Sequence, residues 1–164
     1  MVIGVDPGIS GAIAFLPLSK PPHVFDMPKI QLKNGKHEVC AKQLTRLIET
    51  FAHPKSIALV EAVGARVYVD RFGMKRGQGA AASFAFGKSY GVLLGVLTAL
   101  GVPVELVQPA VWKSLLNLNS DKNLSRALAM KKFPTLTLRL QRKKDDGRAE
   151  ALLLADFARS RYCV

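Results

Sequence analysis

Short apolar runs and longer stretches of helical period divide the chain. Val2, Ile3 and Val5 form the opening run, which reads as a strand buried on both faces, and it ends on Asp6. Pro7 and Gly8 turn the chain there, since proline fixes φ and glycine accepts φ > 0. The next apolar run, Ala12 to Leu16, predicts an antiparallel hairpin partner. His23 to Met27 is a short third strand candidate, and Lys29 to Lys36 reads as a polar, basic loop with a turn signal at Asn34-Gly35. Within Val39 to Phe51, Leu44, Leu47, Ile48 and Phe51 recur at helical spacing, with Pro54 placed to end the helix. Ser56 to Glu61 then repeats the opening pattern, an apolar strand finishing on an acid. If the two strands are parallel neighbours, Asp6 and Glu61 sit side by side at one end of a sheet.

The second half is mostly helical in period. Ala80 to Leu100 is long and apolar enough to invite a transmembrane reading. Ser83, Lys88 and Ser89 inside it, and the strand-like Val104–Val107 close behind, favour a buried core helix instead. Gly87, Gly91 and Gly95 recur every four residues and line one helix face. That face either packs on the sheet or meets a second subunit, and spacing does not separate the two. Val102 to Val107 is a further strand, and Pro109 to Leu116 a short helix with proline at its tolerated first position. Ser120-Asp121 caps a basic helix running to Lys132. Asp145 is the expected N-cap of a last helix through Ala158, on which Asp146 and Glu150, four apart, share a face.

Charge sharpens this outline. Lys and Arg number 24 against 12 Asp and Glu, a formal +12, which calls for a polyanionic partner: nucleic acid or an anionic membrane surface. At 164 residues, 49% of them hydrophobic, the chain is expected to form one globular domain, 1–164. Cys40 and Cys163 make neither a metal-ligand spacing nor a disulfide framework, so a reducing, intracellular setting is expected. The N-terminus becomes strand-like at once, so no signal peptide is expected.

Two features carry chemistry. The stretch Ala62 to Gly79 sets Arg66, Arg71, Lys75 and Arg76 among Tyr68 and Phe72 between glycines, the composition of a loop that grips phosphates and stacks on bases. A dense basic run, Arg139 to Lys144, includes the further candidates Arg142, Lys143 and Lys144. Against this background stand four acids at element ends: Asp6, Glu61, Asp146 and Glu150. Oxygen-only donors suit Mg²⁺ or Mn²⁺. Two such ions, about 4 Å apart, can clamp the attacking water and the leaving oxygen of a phosphodiester.

Ile3-Gly-Val-Asp-Pro-Gly-Ile-Ser-Gly-Ala12 resembles the opening of RuvC-type Holliday junction resolvases of the ribonuclease H-like superfamily. Leu59-Val-Glu61 resembles their second acidic strand, and Lys144-Asp-Asp-Gly-Arg-Ala-Glu-Ala-Leu152 the acidic C-terminal helix of phage, bacterial and plant-organellar members. Pro109-Ala-Val-Trp-Lys113 and Ser120-Asp-Lys122 resemble segments that carry DNA-binding lysines, here Lys113 and Lys122. The resemblance implies an α/β fold, a mixed five-stranded sheet flanked by helices on both faces. It also implies a homodimer with two active sites, each using two Mg²⁺ ions to hydrolyse strands of a four-way junction symmetrically. Catalytic and metal-binding roles then fall to Asp6, Glu61, Asp146 and Glu150. Asp146 is chosen over Asp145 because it shares a face with Glu150. A two-fold dimer suits a pseudo-symmetric junction, since one isologous interface presents two identical sites. No membrane association is expected. The implied setting is the cytoplasm of a bacterium or phage-infected host, or an organellar stroma or matrix if a transit peptide has been removed. The rival readings are a non-catalytic branched-DNA-binding module and a ribonuclease H-like nuclease acting on other DNA or RNA structures. Sugar kinases and actin-like ATPases share the opening pattern but need two such domains.

Overall fold

A computed structural model of the chain describes residues 1–52, 56–61 and 79–162. Five strands form one mixed sheet: β1 (Val2–Asp6), β2 (Ala12–Leu16), β3 (His23–Asp26), then β6 (Ile57–Glu61) and β7 (Val104–Val107), in the order β3-β2-β1-β6-β7. β1 runs antiparallel to β2 and parallel to β6, and β6 runs parallel to β7. The sheet is thus mixed, and β1 lies at its centre.

Between β3 and β6 a small hairpin pairs β4 (Lys29–Gln31) with β5 (His37–Val39), followed by α1 (Ala41–Phe51). The stretch read as a loop therefore holds β4 and the hairpin turn. The Asn34-Gly35 signal was the turn of a hairpin, with Gly35 at φ +78°. α1 starts two residues later than the periodicity suggested, because Val39 is taken by β5. The remaining helices are α2 (Ala80–Ala99), α3 (Pro109–Leu115), α4 (Lys122–Lys132) and α5 (Asp146–Tyr162), with 3₁₀ turns at Pro134–Arg139 and Lys143–Asp145.

Strand alternation sorts the core into two layers. Ile3, Val5, Ile13, Phe15, Ala58 and Val60 face α1 and α2 on one side. Val2, Ala12, Ala14, Leu16, Leu59 and Val107 face α5, α4 and Trp112 of α3 on the other. α5 is the most deeply buried helix, with Ala149 to Ala155 in the core. It lies tight against β1, where a Cβ on Gly4 would run into the backbone of Ala151 and Ala155.

α2 departs from expectation. It is not a buried core helix: among its described side chains only the stripe Ser89, Leu93 and Leu97 is buried, and Phe84 is 75% exposed. Its apolar composition is spent largely on an outer surface. Gly87, Gly91 and Gly95 lie on that surface, with nothing among the described residues within 4 Å of a Cβ placed on any of them, so they do not pack on the sheet. Among the described residues α2 is also the one helix long and apolar enough to cross a membrane.

Candidate active site

Period-two alternation carries the first two acids to one place. Asp6 follows Val2 and Gly4 on the α5 face of β1, and Glu61 follows Leu59 on the α5 face of β6. The parallel register pairs Val5 with Val60, so the next residues, Asp6 and Glu61, end side by side. α5 delivers the other two. Its first turn begins with Asp146, and Glu150 is buried one turn on. Close approach is secured at Gly147, where a Cβ would lie 2.7 Å from the Ser10 carbonyl oxygen and 3.0 Å from Asp6 Oδ2. Gly147→Ala should therefore push α5 off the β1–β2 turn, lower the melting temperature and cut any activity of the acids. Both effects are read by thermal denaturation and nuclease assay side by side.

The four acids act on one another. Burial, then the charges of Glu61 and Glu150, push the Asp6 carboxyl up to about 8. Burial and the charge of Glu150 likewise raise Glu61. Glu61 Oε2 and Trp112 Nε1 are both buried and lack a well-formed hydrogen bond among the described residues, although the indole N–H lies near enough to Glu61 to favour its charge. Lysines supply part of the missing positive charge. Lys113 Nζ lies 2.7 Å from Glu150 Oε1, and Lys122 Nζ lies 2.5 Å from Asp146 Oδ2 and 4.0 Å from Glu150 Oε2. Burial works against the Lys122 charge, but the bond to Asp146 prevails and raises its pKa.

As the side chains stand, no three acidic, histidine or cysteine groups among the described residues are set to hold an ion together. The donor set nonetheless fits a hard cation. It is all carboxylate, it carries more negative charge than the two lysines offset, and it includes a buried oxygen on Glu61 that lacks a well-formed hydrogen bond among the described residues.

Two sequence expectations change. Asp145 is not the N-cap of α5. It ends the preceding 3₁₀ turn, where its carboxylate accepts from the Arg142 backbone N–H and guanidinium while Arg142 caps the turn. Burial opposes its charge, but these bonds, with the Arg142 and Arg148 charges, hold its pKa below the usual carboxylate range. Thus Asp145 is engaged away from the acids and Asp146 is not. Asp121 does cap α4, accepting from the Asn123 backbone N–H.

Lys113, expected to neutralise a DNA phosphate, lies largely buried with its ammonium on Glu150. Lys113→Gln should leave the salt dependence of nucleic-acid binding nearly unchanged. An exposed lysine that truly contacts phosphate would flatten the log–log slope by about 0.9. Lys122 is 57% exposed at its side chain, and Arg142, Lys143 and Lys144 are exposed on the segment that leads into α5. Arg66, Tyr68, Arg71, Phe72, Lys75 and Arg76 lie outside the described residues.

Sequence reasoning passed over Arg148. Its guanidinium donates to both oxygens of Asp26 at 2.6 Å and to the Arg139 carbonyl at 3.2 Å, and lies 3.5 Å from Asp145. The bond from Arg148 lowers the Asp26 pKa. Asp26 pairs in register with Ala12, as Ala12 does with Asp6, so this contact ties the first turn of α5 across three strands. The signal was present in the sequence only as an arginine between two acids.

No family model matches the chain. Over 84 residues it is 39% identical to the Holliday junction resolvase MOC1, chloroplastic, of Chlamydomonas reinhardtii, a match spanning 50% of this chain and 10% of that protein. The chain thus covers only a small part of that relative's length. In three dimensions it is similar to RuvC of T. thermophilus in complex with Holliday junction substrate. That match has a TM-score of 0.57 at 18% identity and covers 98% of this chain and 96% of that one. A second T. thermophilus RuvC structure gives a TM-score of 0.55 at 17% identity, with the same coverage. The chain therefore has the ribonuclease H-like fold of RuvC, and half of it is similar in sequence to a Holliday junction resolvase.

Proposed function

We propose that the chain is a divalent-cation-dependent endonuclease that resolves four-way DNA junctions as a homodimer. The observation that carries this reading is the gathering of Asp6, Glu61, Asp146 and Glu150 at one end of the sheet in a chain of net charge +12. A protein that only bound DNA would gain nothing from mutually repelling, half-buried acids beside phosphates. The MOC1 similarity and the RuvC fold support the junction as substrate.

In this reading the four carboxylates hold two Mg²⁺ ions, for which Mn²⁺ can substitute. The bound ions would supply Lewis-acid stabilisation of the phosphodiester and lower the pKa of the attacking water. The protein's own contribution is positional. β1 and β6 fix Asp6 and Glu61 through parallel register, and α5 fixes Asp146 and Glu150 through its packing on Gly4 and, at its own Gly147, on the β1–β2 turn. Lys113 and Lys122 offset part of the carboxylate charge, and the basic run around Lys143 holds the DNA backbone. The chloroplast location of the relative makes an organellar stroma one compartment to test, beside the bacterial cytoplasm.

The direct test is cleavage of four-way junctions, plain duplex and RNA–DNA hybrid, with Mg²⁺ or with chelator. Paired, Mg²⁺-dependent cuts confined to the junction are expected. Tight junction binding without cleavage under any divalent cation would leave a branched-DNA-binding module. Cleavage of the hybrid instead would move the assignment to another ribonuclease H-like nuclease.

A further inference from the structure

Against the β1–β2 turn, lined by its residues Ile9, Ser10 and Gly11, lies a cavity of about 280 Å³ that none of the four acids lines. Its walls carry four cationic side chains, Lys29, Arg142, Lys144 and Arg148, against two acidic ones, Asp26 and Asp145. Both acids are already satisfied. Each Asp26 oxygen accepts from Arg148, and both Asp145 oxygens accept from Arg142. The surplus positive charge therefore belongs to the rim. Lys29 and Lys144 are exposed and make no hydrogen bond or ion pair among the described residues, and the Ser10 hydroxyl is similarly unengaged. Free ammonium groups and a hydroxyl above an internally neutralised floor make a site for a tetrahedral anion.

Position identifies the anion. Ser10 lines the cavity, and its carbonyl abuts Gly147, the residue that also touches Asp6. One backbone turn thus separates the cavity from the acid cluster. We propose that this cavity binds a backbone phosphate of the DNA strand, next to the phosphate presented to Asp6, with Lys29 and Lys144 as its principal ligands. The assignment rests on the nuclease reading for what lies at Asp6, and it adds a subsite that fixes the strand's register there. Lys29 is separated from the basic run by more than a hundred residues, so only folding brings the two halves of this site together.

The test uses the full chain and the variants Lys29→Gln, Lys144→Gln and their combination, with Arg148 and Asp26 intact so that the floor survives. Four-way junction and duplex are each prepared with single neutral methylphosphonates placed in turn along one strand, and binding is measured in chelator across a salt series. Each single variant is expected to flatten the log–log salt slope by about 0.9. One methylphosphonate position should weaken wild-type binding and leave the double variant unaffected. That position should neighbour the cut when Mg²⁺ is supplied. Slopes unchanged in both single variants, or a double variant still sensitive at every position that affects wild type, would overturn the proposal. Inorganic phosphate that competes equally against wild type and double variant would overturn it as well. If the interference position disappears as expected but no cation supports cleavage, the subsite stands and the nuclease reading falls.

Discussion

Asp6→Asn is expected to abolish strand cleavage, leave junction binding in chelator intact, and raise the melting temperature of the cation-free protein at pH 8. The first two outcomes follow from the proposed role: the amide is nearly isosteric but loses the charge that holds a cation. The third follows from the electrostatics of the fold. Burial and its acidic neighbours raise Asp6 from an ordinary 3.8 to about 8. A carboxyl whose folded pKa lies above its unfolded value favours folding when protonated. Its cost is absent below about pH 4, grows as pH rises, and is complete above about pH 8. The amide never ionises, so the variant escapes that cost, and its advantage should shrink steadily toward pH 4. Each pK unit corresponds to about 1.4 kcal/mol. Even a net gain of about 2 kcal/mol would move Tm by roughly 4–8 °C in a chain of this size. Mg²⁺ should reverse the ranking by stabilising wild type alone, because a ligand stabilises only the state that binds it. Differential scanning fluorimetry at pH 5 and pH 8, with chelator or Mg²⁺, reads all of this. Equal melting of the two proteins at both pH values would remove the idea that Asp6 is held at an electrostatic cost, and wild-type cleavage by the variant would remove its role in catalysis.

The central strands were legible because their signal is local. Two apolar runs ending in acids, with a Pro-Gly turn and a second apolar run, admit few arrangements, and parallel register brings Asp6 and Glu61 to one edge. The pairing of Asp146 with Glu150 was legible from helical spacing, and so was the cap at Asp121. What failed depended on contacts between distant segments. Asp145 looked like an N-cap because cap propensity is read one helix at a time. Its carboxylate is claimed instead by Arg142 across a 3₁₀ turn that apolar spacing does not announce. Lys113 looked like a phosphate-binding lysine, and its ion pair with Glu150, 37 residues away, with the ammonium set over the Trp112 ring, was not legible from α3 alone. The Arg148–Asp26 bond spans 122 residues and leaves no trace in composition. α2 was misjudged for a different reason. A helix apolar on every side reads as buried, but burial requires surroundings, and the described residues surround α2 on one side only.

That outer face leads to the second large effect. Gly91→Glu is expected to convert a dimer to a monomer and to replace paired cleavage of a junction by slow single nicks. Over Ala81–Ala99 the mean hydropathy reaches 1.2 with only 17% of the stretch buried, which is an unfavourable surface for an isolated soluble chain. Gly87, Gly91 and Gly95 open a shallow seam along it, and small residues at such spacing let two helix backbones approach closely. In the proposed homodimer a second copy of α2 fills the seam about a two-fold axis, which would place two acid clusters to face opposed strands. The substitution is a clean probe, because a Cβ at Gly91 meets nothing within 4 Å among the described residues. Glutamate also has the better helix propensity by roughly 0.5–1 kcal/mol, so the folded monomer should lose no intrinsic helix stability. Any loss of paired cutting then belongs to the interface, where a buried charge without a partner is costly. Light scattering after gel filtration measures the mass, and a junction labelled on two strands separates paired cuts from single nicks. A variant that stays dimeric and cuts both strands would place the subunit contact elsewhere. A wild type that runs as a monomer and binds lipid vesicles through α2 would turn the apolar face into a membrane contact.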